Sequence, residues 1–463
     1  MAEELDSKMD NTVEETPFLL NDDQISEVVD AVREQDSDTV HEILNDLSAP
    51  DTAELVAKIN DDERQELLSM YSDQLDPVAF TEMDTELRRA AFEHLEPTEI
   101  AAIIKELESD DALELIIDLD ADLQKAVIQK LSVKIRRAVE EGLSFPEDSA
   151  GRLMQREFIA VPQFWDVGKT LDYMRSAAED LPEDFFDIFI VNPAYHVVGQ
   201  IPLNKLIRAP RDAKLEEISL DETHPLNANI DQEEVAHIFR RDNTASAPVV
   251  DDSGRLIGVI TIDDVVDVID EEAQEDILKM AGVEGGDLYR AVWSTSSTRF
   301  RWLFLNLLTA ILASIIISLF DATIQQIVAL AVLMPIVASM GGNAGTQALT
   351  VAVRALATRE LSNTNTWRIV WKETLVGSFN GVAFAIITGL ITWAWFGDVI
   401  LGGVIATAMI INLIVAGLFG AGIPILINRY GGDPAVSSTV FLTTITDVVG
   451  FFAFLGLAAL LLF

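Results

Sequence analysis

The chain has 463 residues, 49% hydrophobic side chains, a formal net charge of −44 and no cysteine. Its mean hydropathy is nevertheless +0.25. An acidic balance of this size excludes a nucleic-acid binder, which needs a basic face. The absence of cysteine excludes a disulfide scaffold, a Cys-ligated zinc or iron–sulfur site and a cysteine nucleophile. From Phe300 onward, six acidic residues are balanced by six basic ones. The whole excess of acid therefore lies in the first two-thirds, and the last third is neutral and apolar.

Residues 1–21 are predicted to be a disordered acidic tail, and they lack the basic and apolar regions of a secretory signal. Residues 22–149 carry a large apolar side chain at every twelfth position, namely Leu47, Ile59, Tyr71, Met83, Leu95, Leu107, Leu119 and Leu131. Residues that favour helix starts, such as Ser48 and Asp84, follow these positions. Because a two-turn helix cannot bury its apolar stripe alone, we expect short helices stacked into a superhelix.

A second repeat relates residues 190–206 to residues 249–265 at a constant offset. Each copy has the pattern of a strand, a turn, a second strand and a helix, and an upstream helix completes a βαββα unit. This pattern resembles tandem cystathionine-β-synthase (CBS) regulatory domains over residues 150–272. The resemblance implies that the pair could bind an adenine nucleotide such as ATP.

The ribose-binding signature of such domains is a Thr or Ser followed three residues later by Asp. The second copy has this signature in Thr261 and Asp264, whereas the first copy has Pro202 and Lys205 at the matching positions. A nucleotide-binding pair and a purely structural pair are therefore both open.

Five apolar stretches follow a predicted connecting helix at residues 273–299. They predict five membrane-spanning helices at residues 302–320, 323–353, 372–396, 399–428 and 436–462. A soluble core helix is the alternative for one such stretch but not for five in series. Lys and Arg fall on one side of the spans, which predicts a cytoplasmic N-terminus and an outside C-terminus. The expected fold class is a multi-domain membrane protein with an α-helical superhelix, α/β tandem CBS domains and an all-α five-span transmembrane bundle.

Asp447 is a single acidic residue about 15 Å into the last predicted span, near the middle of a bilayer. A charge at that depth needs water or a counter-charge, and no Lys or Arg lies at a similar depth in the sequence. A transported cation is the remaining partner. A protonated Asp447 that hydrogen-bonds between helices is the alternative.

The second predicted span contains Pro335 and a glycine-rich run at residues 341–345. We expect the helix to break there, because proline removes a backbone hydrogen bond and irregular backbone at membrane depth is found where it lines a cavity. Asn343 and Gln347 then offer neutral oxygens. An ordinary helix end at the cytoplasmic interface, followed by an amphipathic segment, is the alternative.

The order of these parts resembles the MgtE family of magnesium channels and transporters over residues 20–463, as do two motifs. These are Pro…GlyGlyAsnXaaGlyXaaGln in the second span and ThrAsp…Gly in the fifth. The resemblance implies a homodimer with its pore at the two-fold interface, where Asp447 of each subunit holds a hydrated Mg²⁺. Thr439 stands where the family often has Asn. The pore-lining candidates are Asn343, Gln347, Thr439 and Thr443.

The resemblance further implies regulatory Mg²⁺ sites between the cytosolic domains. The matching carboxylates are Asp110, Glu114, Asp231, Glu233, Asp264, Asp267, Glu272, Glu275, Asp276 and Asp433. Two acidic positions of the family are lost, near Val78 and at Asn243, which has Asp242 beside it. Independently, the carboxylates between 264 and 276 recur at helical spacing and repel one another, so divalent cations would relieve that repulsion. A solvated acidic surface of a salt-adapted protein is the alternative.

We therefore expect a Mg²⁺-selective channel or transporter of the cytoplasmic (inner) membrane that closes when intracellular Mg²⁺ binds its acidic domains. A transporter of Co²⁺ or Ca²⁺ and a non-transporting membrane sensor of divalent cations are the alternatives. An enzyme is not expected, because neither a second buried Asp nor a phosphate-binding glycine loop is visible. The expected partners are a second copy of the chain, membrane lipid and divalent cations.

Overall fold

The computed structural model describes residues 20, 22–177, 181–182, 185–220, 223–283, 289–290, 292–361, 364–436 and 438–462. The chain divides into two compact units, Met1–Asp270 and Glu271–Phe463. The predicted tail at residues 1–21 lies outside the described residues apart from Leu20.

The first part of the first unit is a stack of short helices. Their bounds are Asp22–Glu34 (α1), Ser37–Asp46 (α2), Ala49–Lys58 (α3), Asp61–Tyr71 (α4), Thr85–Phe92 (α5), Pro97–Lys105 (α6), Ser109–Ile117 (α7), Ala121–Ile128 (α8) and Val133–Gly142 (α9). From α2 onward the helix starts recur at every twelfth position, apart from one gap between α4 and α5. Two 3₁₀ turns, Ser72–Gln74 and Pro77–Phe80, occupy that gap. The period of the sequence is thus the period of the helices.

Caps and buried apolar side chains together set this period. The repeat positions that are buried are Ile59, Tyr71, Met83, Leu119 and Leu131, and the other three are partly buried. The Ser48 side chain accepts a hydrogen bond from the backbone N–H of Asp51, and Ser132 caps α9 in the same way through Ile135. Each cap satisfies an N–H group that the first helical turn leaves open, so it defines where the next helix begins.

The rest of the first unit contains two three-stranded sheets. The strands are Ile159–Pro162 (β1), Asp187–Val191 (β2), Val197–Pro202 (β3), Leu226–Asn227 (β4), Ser246–Val250 (β5) and Leu256–Thr261 (β6). The helices are Ala150–Leu153 (α10), Val167–Ser176 (α11), Leu203–Arg208 (α12), Leu215–Ile218 (α13), Gln232–Asp242 (α14) and Ile262–Ala281 (α15). Of these, α15 begins in the first unit and ends in the second. In each sheet the first strand runs parallel to the middle one and the third runs antiparallel. The predicted tandem βαββα units are confirmed.

The two repeats meet through a pair of equivalent residues. Asp187 and Ser246 are the first residues of β2 and β5, and the offset of the repeat relates them. Both are buried, and the Ser246 hydroxyl donates a hydrogen bond to Asp187 Oδ2 over 2.6 Å. Gln200 Nε2 donates to the Ser246 carbonyl over 3.1 Å. Burial raises the pKa of Asp187, although the bonds from Ser246 and Gln200 partly offset it.

The second unit is helical. Its helices are Val292–Ser318 (α16), Asp321–Gln326 (α17), Ala329–Ala357 (α18), Thr366–Phe396 (α19), Val399–Arg429 (α20) and Ser438–Leu461 (α21). Five of them, α16, α18, α19, α20 and α21, are long and apolar enough to cross a membrane. Among them α20 packs against α18, α19 and α21. The predicted five-span bundle is confirmed, and with it the multi-domain fold class.

The second span differs from the expectation of a broken helix. Helix α18 is continuous from Ala329 to Ala357 and contains Pro335. The segment predicted to open this span, from residue 323, belongs instead to α17 and the loop after it. Pro335 is the seventh residue of this helix, so it removes the backbone hydrogen bond to the Ala331 carbonyl, yet the helix continues past it. The glycine-rich run stays helical, and Gly341 and Gly345 serve close packing against Asn412 and Leu442.

The connecting helix also differs from its predicted bounds of 273–299. Helix α15 begins earlier, directly after β6, and ends at Ala281. Gly282 follows it with φ +70°, a left-handed conformation that suits glycine and stops the helix. Residues 284–288 and 291 lie outside the described part of the chain, and the first span then begins at Val292.

Candidate cation sites

Helix α21 carries a polar stripe that contains the proposed pore carboxylate. Thr439, Thr443 and Asp447 recur at four-residue intervals, so they share one face, and all three are partly buried. Thr443 Oγ1 donates to the Thr439 carbonyl over 3.0 Å, so the threonine hydroxyl is used by its own helix. Within the described part of the chain, no hydrogen bond or ion pair engages the Asp447 carboxylate. Asp447 is thus the unsatisfied group of this stripe.

Helix α18 carries a second polar stripe. Asn343 and Gln347 are one turn apart and exposed on the single chain. Gly341 and Gly345 lie on the other side of the helix and are buried within the bundle. The two amides therefore lie on a face that one copy of the chain leaves uncovered.

A group of carboxylates that we call the acidic cluster lies within the first unit. Its members are Glu82, Glu108, Asp110, Asp111, Glu114, Asp263, Asp264 and Asp267. Those before residue 115 come from the helical stack, and the other three come from the first turns of α15. The sequence predicted four of them, namely Asp110, Glu114, Asp264 and Asp267.

Burial and mutual repulsion raise the pKa values of several carboxyl groups in the acidic cluster. Asp110 is only 9% exposed. Its burial, and next the charge of Asp264, raise the pKa of Asp110 well above its ordinary value. Burial and neighbouring carboxylates raise the pKa of Glu108 to about 7 and that of Asp111 to about 6. Burial also raises the pKa of Asp264 to about 7, although its hydrogen bond from Thr261 opposes the shift. The carboxylates of the cluster therefore bind protons at a higher pH than isolated carboxylates do.

One buried arginine partly neutralises this cluster. Arg88 is 3% exposed. Its Nη1 lies 2.6 Å from Glu114 Oε1, and its Nε lies 3.1 Å from Asp118 Oδ2. Glu114 is half exposed and Asp118 is mostly buried, so the arginine holds one carboxylate inside and one at the surface.

Other predicted cytosolic positions have roles that do not bring them into the acidic cluster. Asp231 caps α14, where its Oδ1 accepts a hydrogen bond from the Glu233 N–H over 2.8 Å. Asn243 ends the same helix in the left-handed conformation with φ 50°. Asp242 pairs with Arg241 Nε at 2.7 Å, which leaves it less available to a metal ion. Val78 is 42% exposed and, being apolar, offers no ligand.

A second group, which we call the Lys279 cluster, lies within the second unit. It contains Glu272, Glu275, Asp276, Lys279 and Asp433. Lys279 Nζ lies 2.5 Å from Glu275 Oε1 and 2.8 Å from Asp433 Oδ2. Burial, and next the charge of Asp433, raise the pKa of Asp276 to about 6. Burial alone lowers the pKa of Lys279, but its hydrogen bonds to Asp433 and Glu275 raise it overall. An internal cation thus bridges two of the predicted metal ligands.

The end of α15 is also attached to the spans. Thr439 Oγ1 donates a hydrogen bond to the Met280 carbonyl over 2.9 Å. The Met280 side chain packs against a buried group formed by Leu349, Val353, Ala435 and Leu442. Thr439, predicted as a pore residue, is therefore engaged by the last turn of α15.

Apart from Asp231 and Glu233, the structure brings the predicted cation-site residues into two acidic groups and two polar stripes. Across the described ranges, no three His, Asp or Glu side chains converge closely enough to form a ready-made metal site. The sequence interpretation missed Glu82, Glu108, Asp111, Asp263 and Lys279. Their charge was the only feature in the sequence that could have identified them. The chain before Phe300 has so many charged residues that charge alone does not distinguish these five.

The ribose-binding signature of CBS domains is present in the second repeat but not in the first. Thr261 Oγ1 donates to Asp264 Oδ2 over 2.9 Å, and Thr261 is buried. In the first repeat, Lys205 Nζ instead donates to the Ser219 carbonyl over 3.0 Å.

Three family models match the chain. The model of divalent cation transporters, MgtE, matches residues 334–457. The model of the MgtE intracellular N domain matches residues 47–148. The CBS domain model matches residues 198–271.

Two solved structures are each similar to about half of the chain. One is the soluble part of a magnesium transporter, with 24% identity and a TM-score of 0.47, and it covers 54% of this chain and 98% of its own. The other is the cytosolic domain of the Mg²⁺ channel MgtE in complex with ATP. It has 27% identity and a TM-score of 0.48, and it covers 53% of this chain and 99% of its own.

Two further relatives each match more than two-thirds of the chain. The magnesium transporter MgtE of Thermus thermophilus is 35% identical over 325 residues, which are 69% of this chain and 71% of the relative. The magnesium transporter MgtE of Bacillus subtilis is 31% identical over 318 residues, or 68% and 70% of the two chains. The chain therefore belongs to the MgtE family of divalent cation transporters.

Proposed function

We propose that this chain transports Mg²⁺ across the cytoplasmic membrane, with Asp447 as the carboxylate that binds the ion in the pore. The observation that carries the proposal is the unsatisfied carboxylate on α21, in a span with no described cationic partner for it. A charge at that depth is costly unless it faces water or an ion. Both relatives described above are named magnesium transporters.

The proposed pore lies between two copies of the chain. Mg²⁺ loses its water ligands reluctantly, so two opposed carboxylates suit a hydrated ion held through its waters. The exposed amides of Asn343 and Gln347 support this arrangement, because polar groups at membrane depth are found where they face protein or a water-filled path. The N-terminus is cytoplasmic and the C-terminus lies outside in this proposal.

Flux into liposomes tests the transport proposal. Wild-type protein should admit Mg²⁺, and Asp447→Asn and Asp447→Ala should each reduce the initial rate at least tenfold. Asp398→Asn is the matched control, because Asp398 caps the start of α20 through its bonds to Ile400 and Leu401 and lies at a span end. Undiminished flux in both Asp447 variants would refute the role of this carboxylate. Parallel flux measurements with Co²⁺ and Ca²⁺ decide the ion, and no flux of any cation would favour a sensor.

We also propose that intracellular Mg²⁺ closes the pore by binding the carboxylates of the acidic cluster and of the Lys279 cluster. Crowded, partly buried carboxylates already take up protons at unusually high pH, and Mg²⁺ would relieve the same repulsion. A hydrated ion does not require the close convergence of three side chains, because its waters fill the space.

A quadruple variant tests whether these carboxylates mediate closure by Mg²⁺. Its changes are Asp264→Asn, Asp267→Asn, Glu275→Gln and Asp276→Asn. The variant should keep its currents when internal Mg²⁺ is high, whereas wild-type currents fall. Normal closure in the variant would exclude these carboxylates as the sensor. ATP binding at Thr261 and Asp264 remains a separate prediction, and calorimetry with a Thr261→Val variant checks it.

A further inference from the structure

Asn412 is a buried polar residue in the middle of the bundle. It lies on α20, and none of its surface is exposed. Its Nδ2 donates a hydrogen bond to the Val337 carbonyl of α18 over 2.8 Å. Its Oδ1 is buried and has no hydrogen-bond partner within the described residues. The amide therefore joins two spans while one of its own polar atoms stays unsatisfied.

This bond differs from those of the hydroxyl groups in the spans. Several Thr and Ser side chains each donate to a carbonyl three or four residues earlier in their own helix, namely Thr309, Ser314, Thr346, Thr350, Thr374, Ser378, Thr388, Thr407, Thr443, Thr444 and Thr446. Those bonds do not connect helices. Asn412, by contrast, links α20 to α18 with a side-chain donor.

Two glycines on two other helices make room for this amide. A Cβ atom added to Gly341 of α18 would overlap Asn412 Nδ2, and one added to Gly450 of α21 would lie 2.8 Å from the same atom. Real Cβ atoms do not approach other atoms so closely, so any side chain at either position would displace the amide or the helix. Asn412 thus sets how closely α18 and α21 approach α20.

The contact involves residues close in sequence to both polar stripes. Gly341 is two residues before Asn343 on α18, and Gly450 is three residues after Asp447 on α21. Because a helix is rigid over a few residues, a displacement of the helix at either glycine also displaces the polar stripe on the same helix. Because Asn412 is fully buried, it acts through the helices and does not touch the ion.

We propose that Asn412 is a positioning residue that sets the separation between the stripes of α18 and α21, and thereby the preference for Mg²⁺ over the larger Ca²⁺. The unfavourable free energy of burying the amide supports this role. A buried oxygen without a partner is unfavourable, and an apolar residue of similar size would pack there without that cost. The inference rests on the proposed function, since it assumes that the stripes line a cation path.

The experiment measures initial Mg²⁺ and Ca²⁺ flux into liposomes for wild type, Asn412→Leu, Asn412→Ser and Gly450→Ala. Asn412→Leu keeps the number and branching of the side-chain heavy atoms and removes the hydrogen bond, whereas Gly450→Ala keeps Asn412 and fills part of the space that its amide occupies. The ratio of Mg²⁺ to Ca²⁺ flux should fall at least fivefold in both. Asn412→Ser, which replaces the amide donor with a hydroxyl donor, should retain more of the ratio than Asn412→Leu. Leu413→Met, at the neighbouring and fully buried position, is the control and should keep the wild-type ratio.

A role in packing alone predicts a lower thermal midpoint with an unchanged flux ratio. A fall of less than fivefold in both Asn412→Leu and Gly450→Ala overturns the inference. If Asn412→Leu does not fold, Gly450→Ala decides alone. If the wild type carries no Mg²⁺, or if Asp447→Asn carries as much as wild type, it is the proposed function that fails.

Discussion

Lys279 Nζ lies between two carboxylates, 2.8 Å from Asp433 Oδ2 and 2.5 Å from Glu275 Oε1. One ammonium group therefore joins the last turns of α15 to the loop that precedes α21. The bond from Thr439 to the Met280 carbonyl reinforces this attachment one residue further on.

Lys279→Met should weaken this attachment when divalent cations are absent. The variant keeps the length of the side chain but leaves Glu275, Asp276 and Asp433 to repel one another. If α15 holds the proposed pore shut through this attachment, the Mg²⁺-free flux should rise about two- to fivefold, the effect of losing a partly exposed ion pair. We also expect closure to depend more steeply on internal Mg²⁺, because two carboxylates become available to the ion. Liposome flux at zero and rising internal Mg²⁺ measures both effects. Lys130→Met, an exposed change in the first unit, should alter neither.

Asp110→Asn should stabilise the metal-free protein. The substitution removes a charge that is buried beside Asp264 and Asp111, and we expect about 1 kcal/mol of added unfolding free energy. Any stabilisation by Mg²⁺ should be smaller in the same variant, because one of the proposed ligands has lost its charge. Thermal unfolding with and without Mg²⁺ measures both changes, with the exposed Asp122→Asn as control. A lower thermal midpoint without Mg²⁺ would contradict the repulsion.

The stability of the metal-free protein should rise as the pH falls from 8 to 6. The folded-state pKa values of Glu108 and Asp264 are both raised to about 7, above the values of an unfolded chain. Below pH 7 the folded protein therefore binds more protons than the unfolded one, and folding is favoured by about 1 to 2 kcal/mol over this interval. Thermal unfolding in a chelator at pH 8, 7 and 6 measures the trend. The double variant Glu108→Gln with Asp264→Asn should show a flatter dependence, and an equal slope would disprove the assignment.

Arg88→Met should destabilise the helical stack. It leaves the mostly buried Asp118 carboxylate without its counter-charge and deprives Glu114 of the same partner. Removing one member of a buried ion pair costs about 3 kcal/mol. The neighbouring Arg89→Met is the control, because Arg89 is 46% exposed and its pair with Glu86 lies at the surface. Denaturant unfolding of both variants should show a much larger loss for Arg88.

Periodic features could be predicted from the sequence alone. The regular spacing from Ile59 to Leu131 corresponds to the helix starts, and the constant offset of the second repeat corresponds to two sheets of the same topology. Both are local patterns, since each unit repeats its own turns and caps. The number of spans followed equally from the length of the apolar stretches.

Features that depend on contacts between distant segments could not be predicted. Pro335 and the nearby glycines resemble a helix break in sequence, yet the space beside Gly341 is occupied by Asn412 of another helix. Asn412 itself is one uncharged residue in an apolar stretch and carries no sequence signal. The same holds for Glu108 and Asp111, whose neighbours across the cluster include Asp263, which is remote from both in the sequence.

The hydrogen bond between Ser246 and Asp187 shows what a tandem duplication makes possible. In a symmetric pair of separate, identical chains, a residue on the axis meets its own copy, so a carboxylate would oppose a carboxylate and a hydroxyl a hydroxyl. Two copies fused in one polypeptide can diverge independently, and here one has become the proton donor and the other the acceptor. Because the two repeats belong to one chain, they can carry different residues at equivalent positions, and a donor in one repeat can pair with an acceptor in the other.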